Sequence, residues 1–243
     1  MTLQIIPLAF DAEIAAGDDL AALLLRAAPP LEPGDVVVVS HKAVSKAEGR
    51  VVDLASVTPS TRAMKLARAD GDPRLVELVL RESRAIVRRR GSLLITETRH
   101  GFVCASAGIN RSNAAGPGTV VLLPVDPDGS AAALRARLAD AAGGEVAVIV
   151  ADTMGRPLRN GIVGTAIGVS GIAPLRHYRG ETDPAGYSLR TSEVAVADEL
   201  AAAADLVLGK LERVPAALVR GLHPTGDGSA RELIRQPERD LFR

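Results

Sequence analysis

The sequence predicts an α+β protein built from mixed sheets and helices, and three observations carry this prediction. Short apolar runs typical of buried strands alternate with stretches of helical periodicity along the chain. Two strand-like runs, residues 92–98 and 101–107, are joined through Arg99 and His100, which indicates an antiparallel hairpin. No internal repeat, Ser/Gly-rich linker or charge block interrupts the chain. We therefore expect residues 1–243 to form a single unit, with two lobes as an open alternative.

Local patterns place each element. The first helix carries Leu20, Leu23 and Leu24 on one face and precedes a Pro29-Pro30 pair, while four consecutive valines mark the next strand. Ser60 is a residue type that caps helices well, so a helix is expected directly after it. In chain order, we expect strands at 2–10, 35–40, 92–98, 101–107, 119–123, 145–151 and 215–220, and helices at 18–28, 60–67, 72–88, 130–141 and 192–210.

Composition excludes several classes of function. Lys and Arg number 29, equal to Asp and Glu, so the basic surface of a nucleic-acid-binding protein is not expected. Aromatic residues make up 2% of the chain, too few for base-stacking platforms. The single cysteine, Cys104, cannot form an intrachain disulfide and is expected to be a buried structural thiol. Without a long apolar run or a basic leader, the chain is expected to be soluble and cytoplasmic, with no membrane contact.

Residues 152–161 are the most informative segment for chemistry. Asp152 and Thr153 follow an apolar strand, so a carboxylate and a hydroxyl are expected together at its end. Such oxygens suit Mg²⁺ or Mn²⁺, and the nearby Arg156 and Arg159 suit phosphate or carboxylate groups. An ordinary capped loop with surface arginines explains the same residues equally well.

Two weaker segments also follow strands. Residues 40–50 place Lys42 and Lys46 at the exit of the valine-rich strand, where a phosphate would be well served, although solvated lysines are commoner there. Residues 107–113 combine a glycine with Asn110 and Asn113, a pattern that suits a metal ligand but also an ordinary turn.

Other patterns argue against specific sites. Gly209-Lys210 lacks the glycine spacing of a phosphate-binding P-loop, and the four histidines are too dispersed in sequence to indicate zinc. Asp198, Glu199 and Asp205 are expected on the solvated face of the last long helix.

Several motifs in this order resemble one known family. They are Gly17-Asp18-Asp19-Leu20, Val44-Ser45-Lys46-Ala47-Glu48-Gly49-Arg50, Ala107-Gly108-Ile109-Asn110-Arg111-Ser112-Asn113 and Asp152-Thr153-Met154-Gly155-Arg156, with further matches at 122–130 and 191–201. Together they resemble the coenzyme F420-0:L-glutamate ligase family, over nearly the whole chain. The resemblance implies an α+β fold forming an intertwined homodimer, without the C-terminal flavin-binding extension of some members.

The resemblance also implies the ligands and their contacts. It implies GTP as co-substrate, F420-0 and L-glutamate as substrates, Mn²⁺ or Mg²⁺ as cofactor, and K⁺ as a further candidate ion. By position, the implied metal ligands are Asn110, Asp152 and Thr153, and the implied nucleotide-binding residues are Asp11, Ala12, Glu13, Ile14, His41, Lys46 and Asn113. Asn110 stands where the family pattern has aspartate, so this site carries one negative charge less.

The implied reaction forms an amide through an acyl phosphate. The GTP γ-phosphoryl group passes to the terminal lactyl carboxylate of F420-0, and the glutamate amine then attacks. We assign Arg156 or Arg159, as a hypothesis, to the transferring oxygens or the glutamate carboxylates. Two alternatives stay open: a related amide ligase with another acid acceptor, and a catalytically silent GTP-binding paralogue.

Overall fold

A five-stranded sheet forms the centre of the protein. The computed structural model describes residues 2–11 and 13–240. The spatial order of the strands is β1, β12, β2, β8 and β9, with β2 and β8 parallel and the other neighbouring pairs antiparallel. The strands of this sheet are β1 (Gln4–Leu8), β2 (Val36–Ser40), β8 (Ala147–Arg156), β9 (Arg159–Ser170) and β12 (Ala216–Arg220).

Among the described residues, smaller sheets and six α-helices complete the fold. The remaining strands are β3 (Val51–Asp53), β4 (Ser83–Arg90), β5 (Leu93–Thr98), β6 (Val103–Ala105), β7 (Thr119–Val121), β10 (Arg176–His177) and β11 (Glu193–Val194). They pair as β3–β7, β4–β5–β6 and β10–β11. The α-helices are α1 (Leu20–Ala27), α2 (His41–Ala47), α3 (Thr61–Ala67), α4 (Pro73–Arg81), α5 (Pro127–Ala142) and α6 (Val196–Leu208).

The main hydrophobic core lies between the central sheet and helices α1, α5 and α6. All four valines of β2 are buried, as expected for a central strand with both faces covered. Helices α5 and α6 approach β9 closely at two glycines. A Cβ atom at Gly168 would collide with the carbonyl of Pro127, and one at Gly164 with the carbonyl of Ala201. Two smaller clusters under α3, α4 and β7 form separate cores.

Most predicted elements are present, and the expected helix cap at Ser60 is confirmed. The Ser60 hydroxyl accepts the N–H of Ala63, and Asp72 accepts the N–H of Arg74 at the start of α4. The hairpin around His100 is confirmed as β5 and β6. Cys104 is buried as expected, and burial raises its pKa to about 12.

Three expectations about the elements are wrong. The helix expected over 72–88 ends at Arg81, because Ser83–Arg90 pairs with β5 instead. The last long helix begins at Val196, since Glu193–Val194 pairs with Arg176–His177. Asp152 does not close its strand, because β8 continues to Arg156 as a hairpin with β9, which had not been expected. In each case pairing with another strand overrides the local pattern.

Candidate active site

A cavity of about 390 Å³ opens beside the carboxyl ends of the parallel strands β2 and β8. Its wall combines the segment around Glu13, the start of α2, the middle of β8, the end of α6 and the segment 209–215 that leads into β12. In the parallel register Ser40 lies opposite Ala151, so the first residues of α2 come next to Asp152. A cleft at strand ends is a common position for ligands in sheets with parallel strands.

The acidic centre of the cavity is Asp152, which is 7% exposed. Its Oδ1 accepts the backbone N–H of Thr153 at 2.8 Å and lies 3.3 Å from Nε2 of His41. Burial by itself raises the pKa of Asp152, but the attraction and hydrogen bond of His41, together with the Thr153 N–H, outweigh burial and hold the pKa below its ordinary value. Asp152 is therefore an anionic carboxylate on the cavity wall.

Four basic side chains line the same cavity: Lys42, Lys46, Lys210 and Arg213. Lys210 donates from Nζ to Oγ1 of Thr153 at 2.7 Å, while Lys46 pairs with Glu13. Burial, followed by the charge of Lys210, lowers the pKa of Lys42. Cations gathered in a partly enclosed space favour an anionic ligand with several charges.

His41 contacts Asp152, and Asn110 contacts His41. Nδ2 of Asn110 is 3.0 Å from Nε2 of His41 and donates to the carbonyl oxygen of Gly108 at 3.1 Å. The backbone of Asn110 is anchored by two hydrogen bonds to Val121. Just before it, Ala107 has a φ of 55°, in the left-handed region that non-glycine residues rarely adopt, and such strain is often found at functional sites.

The oxygen donors of this region fit a hard divalent cation. Asp152 offers a carboxylate, Thr153 a hydroxyl and Asn110 an amide oxygen, all of which suit Mg²⁺ or Mn²⁺. In the described part of the chain, no three His, Cys, Asp or Glu side chains form a metal-binding group. A cation here would therefore take at least part of its ligands from neutral oxygens, such as those of Asn110 and Thr153.

The structure brings most of the implied site residues together. The cavity wall includes Asp11, Glu13, Ile14, Lys46, Asn113, Asp152 and Thr153. Ala12 lies outside the described residues. His41 is fully buried and contacts Asp152, and Asn110 is half-buried and contacts His41, but neither is part of the cavity wall.

The two arginines assigned to the reaction lie elsewhere in this chain. Arg156 and Arg159 are exposed at the end of the β8–β9 hairpin and do not line the cavity, and Arg156 donates to the carbonyl of Asn160. The geometry of one chain thus does not bring them to Asp152.

Sequence reasoning missed several polar residues of the wall, among them Arg213, to which no motif pointed. In the sequence, Lys210 stands out only in Gly209-Lys210, which lacks P-loop spacing, whereas its Nζ contacts the Thr153 hydroxyl. Asp205 was expected to be solvated but lines the cavity. The sequence analysis places Lys42 only as one of two lysines after β2. Because Lys42 and Lys46 are four residues apart in α2, their spacing could have indicated that both lie on the same face of a helix.

Asp198 also differs from expectation, because it is half-buried and accepts the N–H of Ala166 at 2.8 Å. Burial raises the pKa of its carboxyl group. This aspartate ties α6 to β9 and is not a solvated surface residue.

No helix among the described residues is long and apolar enough to cross a membrane. Comparison with known proteins gives one consistent result. The model of the family described as F420-0:Gamma-glutamyl ligase matches residues 11–221.

Curated relatives span nearly the whole chain. One, from Methanopyrus kandleri, is 48% identical and covers 100% of this chain and 98% of its own length. Another, from Methanothermobacter thermautotrophicus, is 47% identical over 95% of this chain and 94% of its length. A third, from Methanocaldococcus jannaschii, is 43% identical over 93% and 92%, respectively. All three carry the name Coenzyme F420:L-glutamate ligase.

Proposed function

Because this chain belongs to the F420-0:gamma-glutamyl ligase family, we propose that it adds L-glutamate to coenzyme F420-0 in a reaction that consumes GTP and needs Mn²⁺ or Mg²⁺. One structural observation supports the proposal independently of the family assignment. Four basic side chains and the buried carboxylate of Asp152 share the wall of one cavity of about 390 Å³. This combination is suited to a nucleotide polyphosphate held together with a divalent cation.

In this proposal, the basic residues bind the phosphates of the nucleotide. Lys46 is 9% exposed, so its charge is weakly screened, and it meets the phosphates by exchanging Glu13 for a phosphate oxygen. Lys210 and Lys42 lie near Asp152 and neutralise phosphate oxygens next to the cation. Asn113 is held to the same wall because its amide donates to the carbonyl of Lys210 at 3.1 Å.

The cation site is assigned to Asp152, Thr153 and Asn110. A divalent cation bound there would offset negative charge on the phosphates and polarise the transferring group. Asp152 holds the negative charge needed for this task because its pKa is lowered. The N–H of Thr153 fixes the carboxylate by donating to Oδ1, and Lys210 holds the hydroxyl group of Thr153.

The chemistry proceeds in two displacements. A carboxylate oxygen of F420-0 forms a bond to the γ-phosphorus of GTP while the bond to the GDP oxygen breaks, giving an acyl phosphate. The glutamate amine then bonds to the acyl carbon, inorganic phosphate leaves, and the amine loses a proton. The protein contributes positioning and charge stabilisation, since Lys42, Lys46 and Lys210 surround the region where negative charge moves.

A homodimer is part of the proposal. The β8–β9 hairpin exposes Leu158 (76%) and Ile162 (56%), apolar side chains that a second copy would cover. Arg156 and Arg159, on the same hairpin, would then serve the glutamate carboxylates or the transferring oxygens only in the assembled dimer. A monomeric mass by size-exclusion chromatography with light scattering would refute this part.

Mass spectrometry of the reaction products tests the function directly. F420-0 is incubated with the protein, L-glutamate, GTP and either Mn²⁺ or Mg²⁺, with parallel reactions lacking GTP or containing ATP instead. We expect a GTP-dependent product heavier by one glutamyl residue or by a series of them. Asp152→Asn is expected to abolish the product, and the exposed Lys65→Met to retain it.

The remaining outcomes separate the alternatives. GTP binding without any product from F420-0, but with phosphate release on another carboxylic acid, would show a different acceptor. GTP binding without turnover on any acid tested would show a silent paralogue.

A further inference from the structure

The amide of Asn110 is held between two hydrogen-bond acceptors. Its Nδ2 lies 3.1 Å from the carbonyl oxygen of Gly108 and 3.0 Å from Nε2 of His41. An amide nitrogen carries two hydrogens, so it can donate to both acceptors at once. Across the described residues, no group donates a hydrogen bond to Oδ1 of Asn110. The amide oxygen is therefore the free end of this side chain.

His41 cannot serve both of its polar neighbours with the same nitrogen. Nε2 also lies 3.3 Å from Oδ1 of Asp152, and one ring nitrogen cannot donate to a carboxylate while accepting from an amide. Without a cation, Nε2 donates to Asp152, whereas an Asp152 carboxylate that ligates a cation needs no proton from His41. Nε2 is then available as an acceptor for Asn110, with the ring proton on Nδ1, where Ser45 Oγ lies 3.5 Å away.

The imidazole is placed rigidly enough for this task. His41 is fully buried and is the first residue of α2, directly after β2. The parallel pairing of β2 with β8 fixes its position relative to Asp152. Because close packing fixes the imidazole ring, the Asn110 amide orients to the ring and not the reverse.

We propose that His41 is a positioning residue, which together with the Gly108 carbonyl takes both amide hydrogens of Asn110 and so turns the one oxygen of Asn110 toward the cation. The inference rests on the proposed function, which assigns Asn110 to the cation site. An amide has one oxygen and must be oriented to act as a ligand, whereas a carboxylate has oxygen at both positions. His41 is thus needed because residue 110 is asparagine.

A double-mutant cycle with Mn²⁺ as the probe tests this dependence. Mn²⁺ affinity is measured from the electron paramagnetic resonance signal of the free ion, in the presence of GDP, for the wild type, His41→Met, Asn110→Asp and the double variant. We expect His41→Met to weaken Mn²⁺ binding about 10-fold or more, the usual effect of losing a group that orients a metal ligand. In the Asn110→Asp background the same substitution is expected to change affinity less than about 2-fold.

Two further measurements keep the test independent of a single variant. His41→Gln keeps an acceptor oxygen for the Asn110 amide and is expected to restore most of the affinity lost in His41→Met. Electron spin-echo modulation of Mn²⁺ bound to the wild type is expected to lack a directly coordinated imidazole nitrogen. Thermal unfolding of each variant checks that the fold is retained.

Specific results would overturn the inference. An equal loss of affinity with Asn110 and with Asp at position 110 would make His41 a general structural residue. A coordinated imidazole signal would make it a ligand. In both cases wild-type Mn²⁺ binding and glutamate addition persist, so the proposed function survives. A wild-type protein that binds no Mn²⁺ would overturn the cation site itself and this inference with it.

Discussion

Replacing Lys46 with methionine tests the nucleotide site with little damage to the fold. Methionine keeps the length and flexibility of the side chain but removes the ammonium group. The ion pair that is lost joins Lys46 to Glu13, whose side chain is 73% exposed. Such a pair contributes at most about 1 kcal/mol to stability, so the variant should fold normally.

The effect on GTP is expected to be much larger. Lys46 is 9% exposed and lies on the cavity wall, where a hydrogen bond from its ammonium to a phosphate oxygen is charge-assisted and shielded from water. Bonds of this kind contribute about 1.5–3 kcal/mol. We therefore expect GTP affinity to fall by about 10-fold to 150-fold.

The assay is titration of the protein with a fluorescent GTP analogue, with the KM for GTP in the ligase reaction as a second measurement. Lys65→Met is the matched control, because Lys65 is exposed on α3 and away from the cavity. An unchanged GTP affinity in Lys46→Met, with normal thermal unfolding, would refute the assignment of this cavity to the nucleotide phosphates.

Three further predictions concern the fold that holds the site. The pKa of Cys104 is raised from 9.0 to about 12, so the stability linked to its buried thiol is complete below pH 9.0 and is lost as the pH rises toward 12. The free energy of unfolding measured in urea should therefore fall more steeply over this pH range for the wild type than for Cys104→Ala. Equal pH dependence of the two proteins would contradict this prediction. Asp35 is 1% exposed and accepts two hydrogen bonds from Arg220, which also pairs with Glu32, so Asp35→Ala should lower the free energy of unfolding in urea by about 1.5–3 kcal/mol; a loss below about 1 kcal/mol would show that these hydrogen bonds do not stabilise the fold. Gly168→Ala should destabilise by about 1–3 kcal/mol because its Cβ would strike the Pro127 carbonyl, whereas Gly155→Ala, with nothing within 4 Å, should unfold like the wild type in the same calorimetric scan.

Local sequence was sufficient where an element satisfies its own requirements. Ser60 caps α3 and the four valines of β2 are buried, both as expected, because a cap bonds within one turn and a valine-rich strand suits any position covered on both faces. Asp152 and Thr153 also both line the cavity, as expected from their position after the apolar run.

Only the tertiary structure decided which distant residues share the cavity. Lys210 is 57 residues from Thr153 in sequence, yet its ammonium bonds to the Thr153 hydroxyl. Asp205 was assigned to the solvent because helical periodicity identifies the apolar face of a helix but not what lies beside its other faces. Such neighbours are fixed by strand order, and β12 lies between β1 and β2 although it comes last along the chain.

The sequence by itself therefore determined the residue types, the local elements and the motifs that identify the family. The arrangement of His41, Asn110 and Asp152 was decided by the parallel pairing of β2 with β8 and by the backbone bonds that anchor Asn110 to Val121. Hydrogen bonds are effective only over about 3 Å, so they depend on contacts between segments that local propensity does not specify.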